Sequence, residues 1–157
     1  MSLRPWFDWL EHSALSTAVH AGSWQFPASE ILHIAGAIVV FGSVLIVNLR
    51  LLGRIFTQVP AASVAADLRT WNRVGLVAQF ATGLLLLSAE ATRFYDNTPF
   101  RIKAALLVLA LLFQATVHRR TIEDAQGSRG RAAMAAVVSL ALWFGVIIAG
   151  MSIELFG

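Results

Sequence analysis

The sequence predicts an all-α fold: an integral membrane four-helix bundle with a short N-terminal interfacial helix. Three observations carry that prediction. The chain is 57% hydrophobic and only 13% charged, about half the charged fraction of a soluble domain, and its mean hydropathy is +0.70. From Ile31 to Leu49 it runs 19 residues without a formal charge, close to what a helix needs to cross a hydrocarbon core of roughly 30 Å. Three further apolar runs follow, with basic residues gathered at their ends.

In order, residues 3–20 place Trp6, Leu10 and Ala14 at spacings of four, with Asp8, Glu11 and His12 on the polar side. That pattern suits a helix lying in the membrane interface, where tryptophan is enriched, or a soluble cap packed on the bundle. It is not a signal peptide, because no uninterrupted apolar stretch follows Arg4. Pro27 opens the first span, about 28–53, at a position where a missing N–H costs nothing. After Pro60 an alanine-rich segment continues into the second span, about 72–94, so that helix should project from the membrane. Thr98 as N-cap and Pro99 at the first helical position start the third span, about 100–119. A polar connector with Gly127 and Gly130 leads to the fourth, about 132–155. No second domain, repeat or low-complexity tract is present.

The arginines report orientation. The two loops after spans one and three hold Arg50, Arg54, Arg69, Arg73, Arg119, Arg120, Arg129 and Arg131, eight of the 12 basic residues. The positive-inside rule places that side in the cytoplasm and both termini outside. A pI near 10.6 is compatible with a nucleic-acid partner, but these residues form no groove-binding patch. The lipid bilayer is the expected partner, with a homo-oligomer or a larger membrane complex left open. The chain has no cysteine, which removes disulfides, thiolate metal sites and iron–sulfur clusters.

Each span carries its polar residues on one face at helical spacing. Facing lipid would cost several kcal/mol per polar group, so these faces should turn toward each other. Depth sorts them into two layers. Glu30, His33, Glu90, Arg93, Lys103 and Glu154 fall in an outer layer, suited to a cation, a proton or a polar solute. The alternative is a salt-bridge network at the rim, with long side chains snorkelling to water. Asn48, Arg50, Gln79, Gln114, His118 and Ser139 fall in an inner layer, where His118 also fits a plain interfacial helix end. His33 and His118 should lie roughly 20 Å or more apart in depth, too far to share one metal ion or haem.

His33 with His20 and Met151 offers imidazole and thioether ligands that suit copper. One outer haem b, ligated by His33 with His20 or Met151, is a further possibility, whereas His118 has no evident second ligand. No hydrolase triad, phosphate-binding loop or dinucleotide motif occurs, so a non-enzymatic role is the expectation.

Trp24-x-Phe26-Pro27-x-x-Glu30-x-x-His33-x-x-Gly36, then Leu49-Arg50-Leu51-Leu52-Gly53, Phe100-Arg101-Ile102-Lys103 and His118 resemble a family of small bacterial membrane proteins. That family is known only as a domain of unknown function. The likeness runs from about Trp6 to His118. It implies a four-span protein of the bacterial inner membrane and points at Glu30, His33, Arg50, Lys103 and His118. Members of the family often carry aspartate before the Leu-Arg-Leu-Leu-Gly run, where this chain has Asn48, so a carboxylate–arginine pair there is not implied. A looser likeness to membrane proteins of copper-resistance operons rests on helix and histidine placement alone. The leading expectation is a membrane subunit or small carrier with an outer polar site. A haem- or quinone-linked redox subunit and a structural subunit of a larger complex are the alternatives.

Overall fold

Two short helices come first, α1 (Arg4–Glu11) and α2 (Ala14–His20), followed by α3 (Gln25–Leu51), α4 (Ala61–Ala89) and α5 (Ala91–Asp96). Then come α6 (Thr98–Phe113), α7 (Arg119–Glu123) and α8 (Arg129–Phe156). A π-helical turn, Gln114–His118, joins α6 to α7 without a break. This computed structural model describes residues 3–124 and 128–156; Gly127 of the expected connector lies outside them. Four stretches of 27, 29, 26 and 25 residues are long and apolar enough to cross a membrane. The protein is a multi-pass helical membrane protein.

Local chemistry moves several expected boundaries. The segment expected to be one helix over 3–20 is two, because Ser13 takes up an extended conformation (φ −78°, ψ 164°) and its hydroxyl accepts the Ser16 N–H. The second span ends at Ala89 rather than near 94, since Glu90 leaves helical geometry (φ −133°, ψ 43°) before α5 begins. Asn97, not Thr98, caps α6: its side-chain oxygen accepts the Phe100 N–H at 2.8 Å. Pro99 then sits in the first turn, where no N–H is needed. As expected, α4 starts well before its span. Its 29 residues reach about 43 Å, and the excess carries Asp67, Arg69 and Arg73.

The long helices pack as α3 against α4 and α6 against α8, with α3 and α8 joining the two pairs. Val40, Val44, Ala110, Trp143 and Val146 meet at the centre, and Trp143 packs that core at 5% exposure. Where α3 crosses α4 the backbones nearly touch. A Cβ on Gly75 would lie 2.9 Å from Val40 Cγ2 and 3.2 Å from the Gly36 carbonyl oxygen. Small residues allow such an approach in lipid, where dispersion rather than water expulsion holds helices together. Only 6% of the apolar window of the third span is buried within the protein, so most of α6 lies on the outside of the bundle.

The N-terminal helices dock on the same end of the bundle as α5. Glu11 accepts from the Thr92 N–H (2.6 Å) and the Thr92 hydroxyl (2.5 Å), and Phe7 packs on Tyr95 with ring centroids 5.1 Å apart. The hydrogen bonds from Thr92 hold the Glu11 carboxyl below its ordinary pKa, because they favour the charged form. A depressed folded-state pKa gives stability that is present above the ordinary carboxylate range and lost as pH falls through the folded value. Undocking of α1, followed by the fluorescence of Trp6 and Trp9, should therefore rise as pH falls below the ordinary carboxylate range. Glu11→Gln should flatten that pH response, and an unchanged response would assign it to another group.

Candidate functional site

Two polar centres lie between the long helices, separated along α3 by about 22 Å. The first surrounds His33, at the end of the bundle that carries α1, α2 and α5. His33 Nδ1 lies 2.9 Å from Thr82 Oγ1, and the Thr82 hydroxyl donates to the Ala78 carbonyl at 2.6 Å. Thr82 has only that one proton, so its oxygen accepts from His33 Nδ1–H. The imidazole is thereby fixed with its lone pair on Nε2. Lys103 Nζ, reaching across from α6, lies 3.5 Å from that nitrogen. Gln79 donates its side-chain N–H to the His33 backbone carbonyl.

Two glycines make room for this pair. A Cβ on Gly83 would lie 3.2 Å from His33 Cε1, and one on Gly150 would lie 3.5 Å from Lys103 Cε and Nζ. All four long helices thus meet here, with Thr82 and Gly83 from α4 and Gly150 from α8 closing around a base from α3 and a cation from α6. Chemically this is a fixed hydrogen-bond acceptor faced by an ammonium donor. That arrangement can exchange a proton along one line or hold a small acceptor group beside the cation.

The other expected outer residues divide. Glu90 and Arg93 pair with each other at 2.7 Å, partly exposed. Glu30 is exposed, and the side chain of Glu154 lies outside the described residues. His20 bonds the Ser16 carbonyl at 3.0 Å and stacks on Phe26, while Met151 is 68% exposed. The copper set of His33, His20 and Met151 therefore has its members in three different settings, and the same holds for an outer haem. Among the described residues no group of three or more His, Cys, Asp or Glu is placed to hold a metal ion. His33 itself fits a metal poorly, because the Lys103 ammonium lies against the lone pair that a metal would need and repels a cation.

The second centre is buried at the opposite end, beside the 52–60 loop. His118 Nε2 bonds Asn48 Oδ1 at 2.8 Å. Asn48 Nδ2 donates to the Val44 carbonyl (2.9 Å) and to Ser139 Oγ (3.1 Å). Asn48 is 0% exposed and His118 3%. Because the amide NH2 is spent on those two acceptors, Oδ1 accepts and His118 carries its proton on Nε2. The two histidines therefore hold opposite tautomers. The π turn inserts one extra residue per turn just where His118 enters the bundle, and such turns gather at functional positions. Gln114 donates to Asn72 Oδ1 at 3.4 Å, while its Oε1 and the Trp143 indole N–H are buried without a hydrogen-bond partner among the described residues.

The inner assignment changes at Gln79 and at Arg50. Gln79 belongs with His33, not with Asn48, because α4 runs antiparallel to α3 and residue 79 lies past its midpoint. Arg50 lies outside the second centre, with its guanidinium bound to the carbonyls of Thr57 and Val59. Ser139 stands in the expected inner layer, on Asn48, whereas Thr82 stands on a predicted polar face but carries no ionisable group, so nothing in the sequence raised it above its neighbours. The π turn has no signal in Gln114–His118 that periodicity would detect.

The chain matches a family of unknown function, DUF6644, over residues 6–156. It belongs to that family. The match extends the likeness seen in the sequence through α8, so Ser139 and Gly150 fall inside the DUF6644 region along with His33, Lys103 and His118. No curated protein and no solved structure matches the chain.

Proposed function

We propose that the protein is a small non-enzymatic carrier, or the carrier subunit of a membrane complex, whose working centre is the His33–Lys103 pair and whose cargo is a proton. The observation that carries this reading is the lone pair of His33 Nε2 facing the Lys103 ammonium across 3.5 Å inside a transmembrane bundle. Ionisable residues at such depth are costly and are kept chiefly where charge or protons move. The Nδ1 hydrogen bond to Thr82 fixes which ring nitrogen takes part, as a relay requires. Exposed Glu30 and the partly exposed Glu90–Arg93 pair lie toward the same end of the bundle, the side from which water would reach the pair. The reading places the protein in a bacterial inner membrane, with the arginine-rich loops in the cytoplasm and both termini outside.

Proteoliposomes enclosing a pH-sensitive dye test this. The purified protein should speed the decay of an imposed pH gradient over empty vesicles, and Lys103→Met should return the decay to the empty-vesicle rate. Equal rates for all three preparations would refute proton transfer.

A further inference from the structure

At the end of the bundle opposite His33, a cavity of about 260 Å³ is walled by Arg50, Leu51, Leu52, Gly53, Thr57 and Arg129. Its walls come from distant parts of the chain: the end of α3, the loop after it, and the first residue of α8. Gly53 turns the chain there with φ +68°, which a residue with a side chain adopts only at a cost. The turn keeps the wall beside Arg50 free of a Cβ.

The carbonyls that end α3 already have partners. Leu52 N–H bonds the Asn48 carbonyl, Gly53 N–H that of Arg50, and Arg54 N–H that of Leu49. Arg50 binds the Val59 carbonyl through Nε and the Thr57 carbonyl through Nη2, which fixes its guanidinium plane and leaves Nη1 available. Arg129 is exposed and makes no hydrogen bond or ion pair with a described residue. By contrast Arg119 pairs with Glu123 at 2.9 Å and Arg131 with Asp124 at 3.6 Å. The cavity thus holds two guanidinium groups, one fixed and one unengaged, with no carboxylate among the described residues of its wall.

Position decides what such a cavity meets. The charge-free run of α3 ends at Leu49, and the apolar run of α8 begins after Arg131. Arg50 and Arg129 therefore stand at the same edge of the hydrocarbon layer, at the depth of lipid phosphates. Planar guanidinium forks match phosphate oxygens better than any other side chain does.

We propose that this cavity is a binding site for a phosphate group, held between Arg50 and Arg129 and supplied by the headgroup of an anionic phospholipid. The site is independent of the His33 centre. It ties the loop after α3 and the start of α8 to one lipid.

Native mass spectrometry of the detergent-solubilised protein tests this with phosphatidylglycerol as probe. The variant Arg129→Gln, at an exposed position outside the core, should retain the fold and bind the lipid about tenfold more weakly, as expected for losing one charge-assisted hydrogen-bond set. Arg120→Gln, which removes an equally exposed arginine outside the cavity wall, should change binding less than about twofold. A parallel titration with inorganic phosphate separates the two sources. Displacement of the lipid only at large excess supports a headgroup site, whereas binding of phosphate alone as tight as that of the lipid overturns the lipid assignment. Equal losses in Arg129→Gln and Arg120→Gln would show a diffuse basic surface and overturn the site, as would no loss in either.

Discussion

Asn48→Leu should destabilise the bundle by about 2–4 kcal/mol, the largest loss expected from any single polar substitution here. Leucine has the same branching and is bulkier, so the cost is not a cavity. Asn48 is fully buried and joins three helical segments: it accepts from His118 and donates to Ser139 and to the Val44 carbonyl. Its removal leaves the His118 N–H and the Ser139 hydroxyl without partners in a medium that offers no water, at about 1–3 kcal/mol for each group. Single interhelical hydrogen bonds measured in a membrane protein average only about 0.6 kcal/mol, which sets the lower part of the range. Reversible unfolding in mixed detergent micelles measures the change. A double-mutant cycle with His118→Ala should return a coupling of about 1–2 kcal/mol. A loss in Asn48→Leu below about 0.5 kcal/mol would mean that the cluster contributes no more than an average contact.

Lys103→Met should act in the opposite direction and raise stability by about 1–3 kcal/mol. An ammonium withdrawn from water is costly unless a counter-charge compensates it. Among the described residues Lys103 has only the imidazole lone pair of His33, at 3.5 Å. Methionine keeps the straight apolar stem over Gly150 while removing the charge, at the expense of one long hydrogen bond. Function that depends on a strained or poorly compensated group commonly carries such a stability penalty. The same variant that abolishes gradient decay should therefore unfold at a higher temperature or detergent fraction. A Lys103→Met protein that is less stable than the parent would make Lys103 a structural residue and remove the reason for assigning it a role in transport.

The opposite expectations for Asn48 and Lys103 show which parts of the fold were legible in the sequence. Four spans, the antiparallel order and the inward polar faces follow from hydrophobic run length and periodicity, which depend on residues close in sequence. His33 and Lys103 were legible as members of one layer, since depth follows from counting residues from each span end. Their pairing was not, because it depends on the rotation of α3 and α6 about their axes and on the space left by Gly83 and Gly150. Gln79 shows the limit of counting: placed by layer alone it went with Asn48, whereas in the bundle its amide reaches the His33 carbonyl. The Asn48–His118–Ser139 cluster needs the π turn, a local change of helical pitch without a signature in residue type. Glu11 and Thr92 are 81 positions apart, and their contact depends on the break at Glu90 that sets the direction of α5.

The most direct test of the His33–Lys103 centre is the ¹⁵N spectrum of the His33 ring, in the parent protein and in Lys103→Met. The expected spectrum is that of a neutral ring with the proton on Nδ1, bonded to Thr82, and a bare Nε2 whose resonance moves when Lys103 is replaced. A proton on Nε2 in the parent, or an Nε2 resonance indifferent to Lys103→Met, would contradict it.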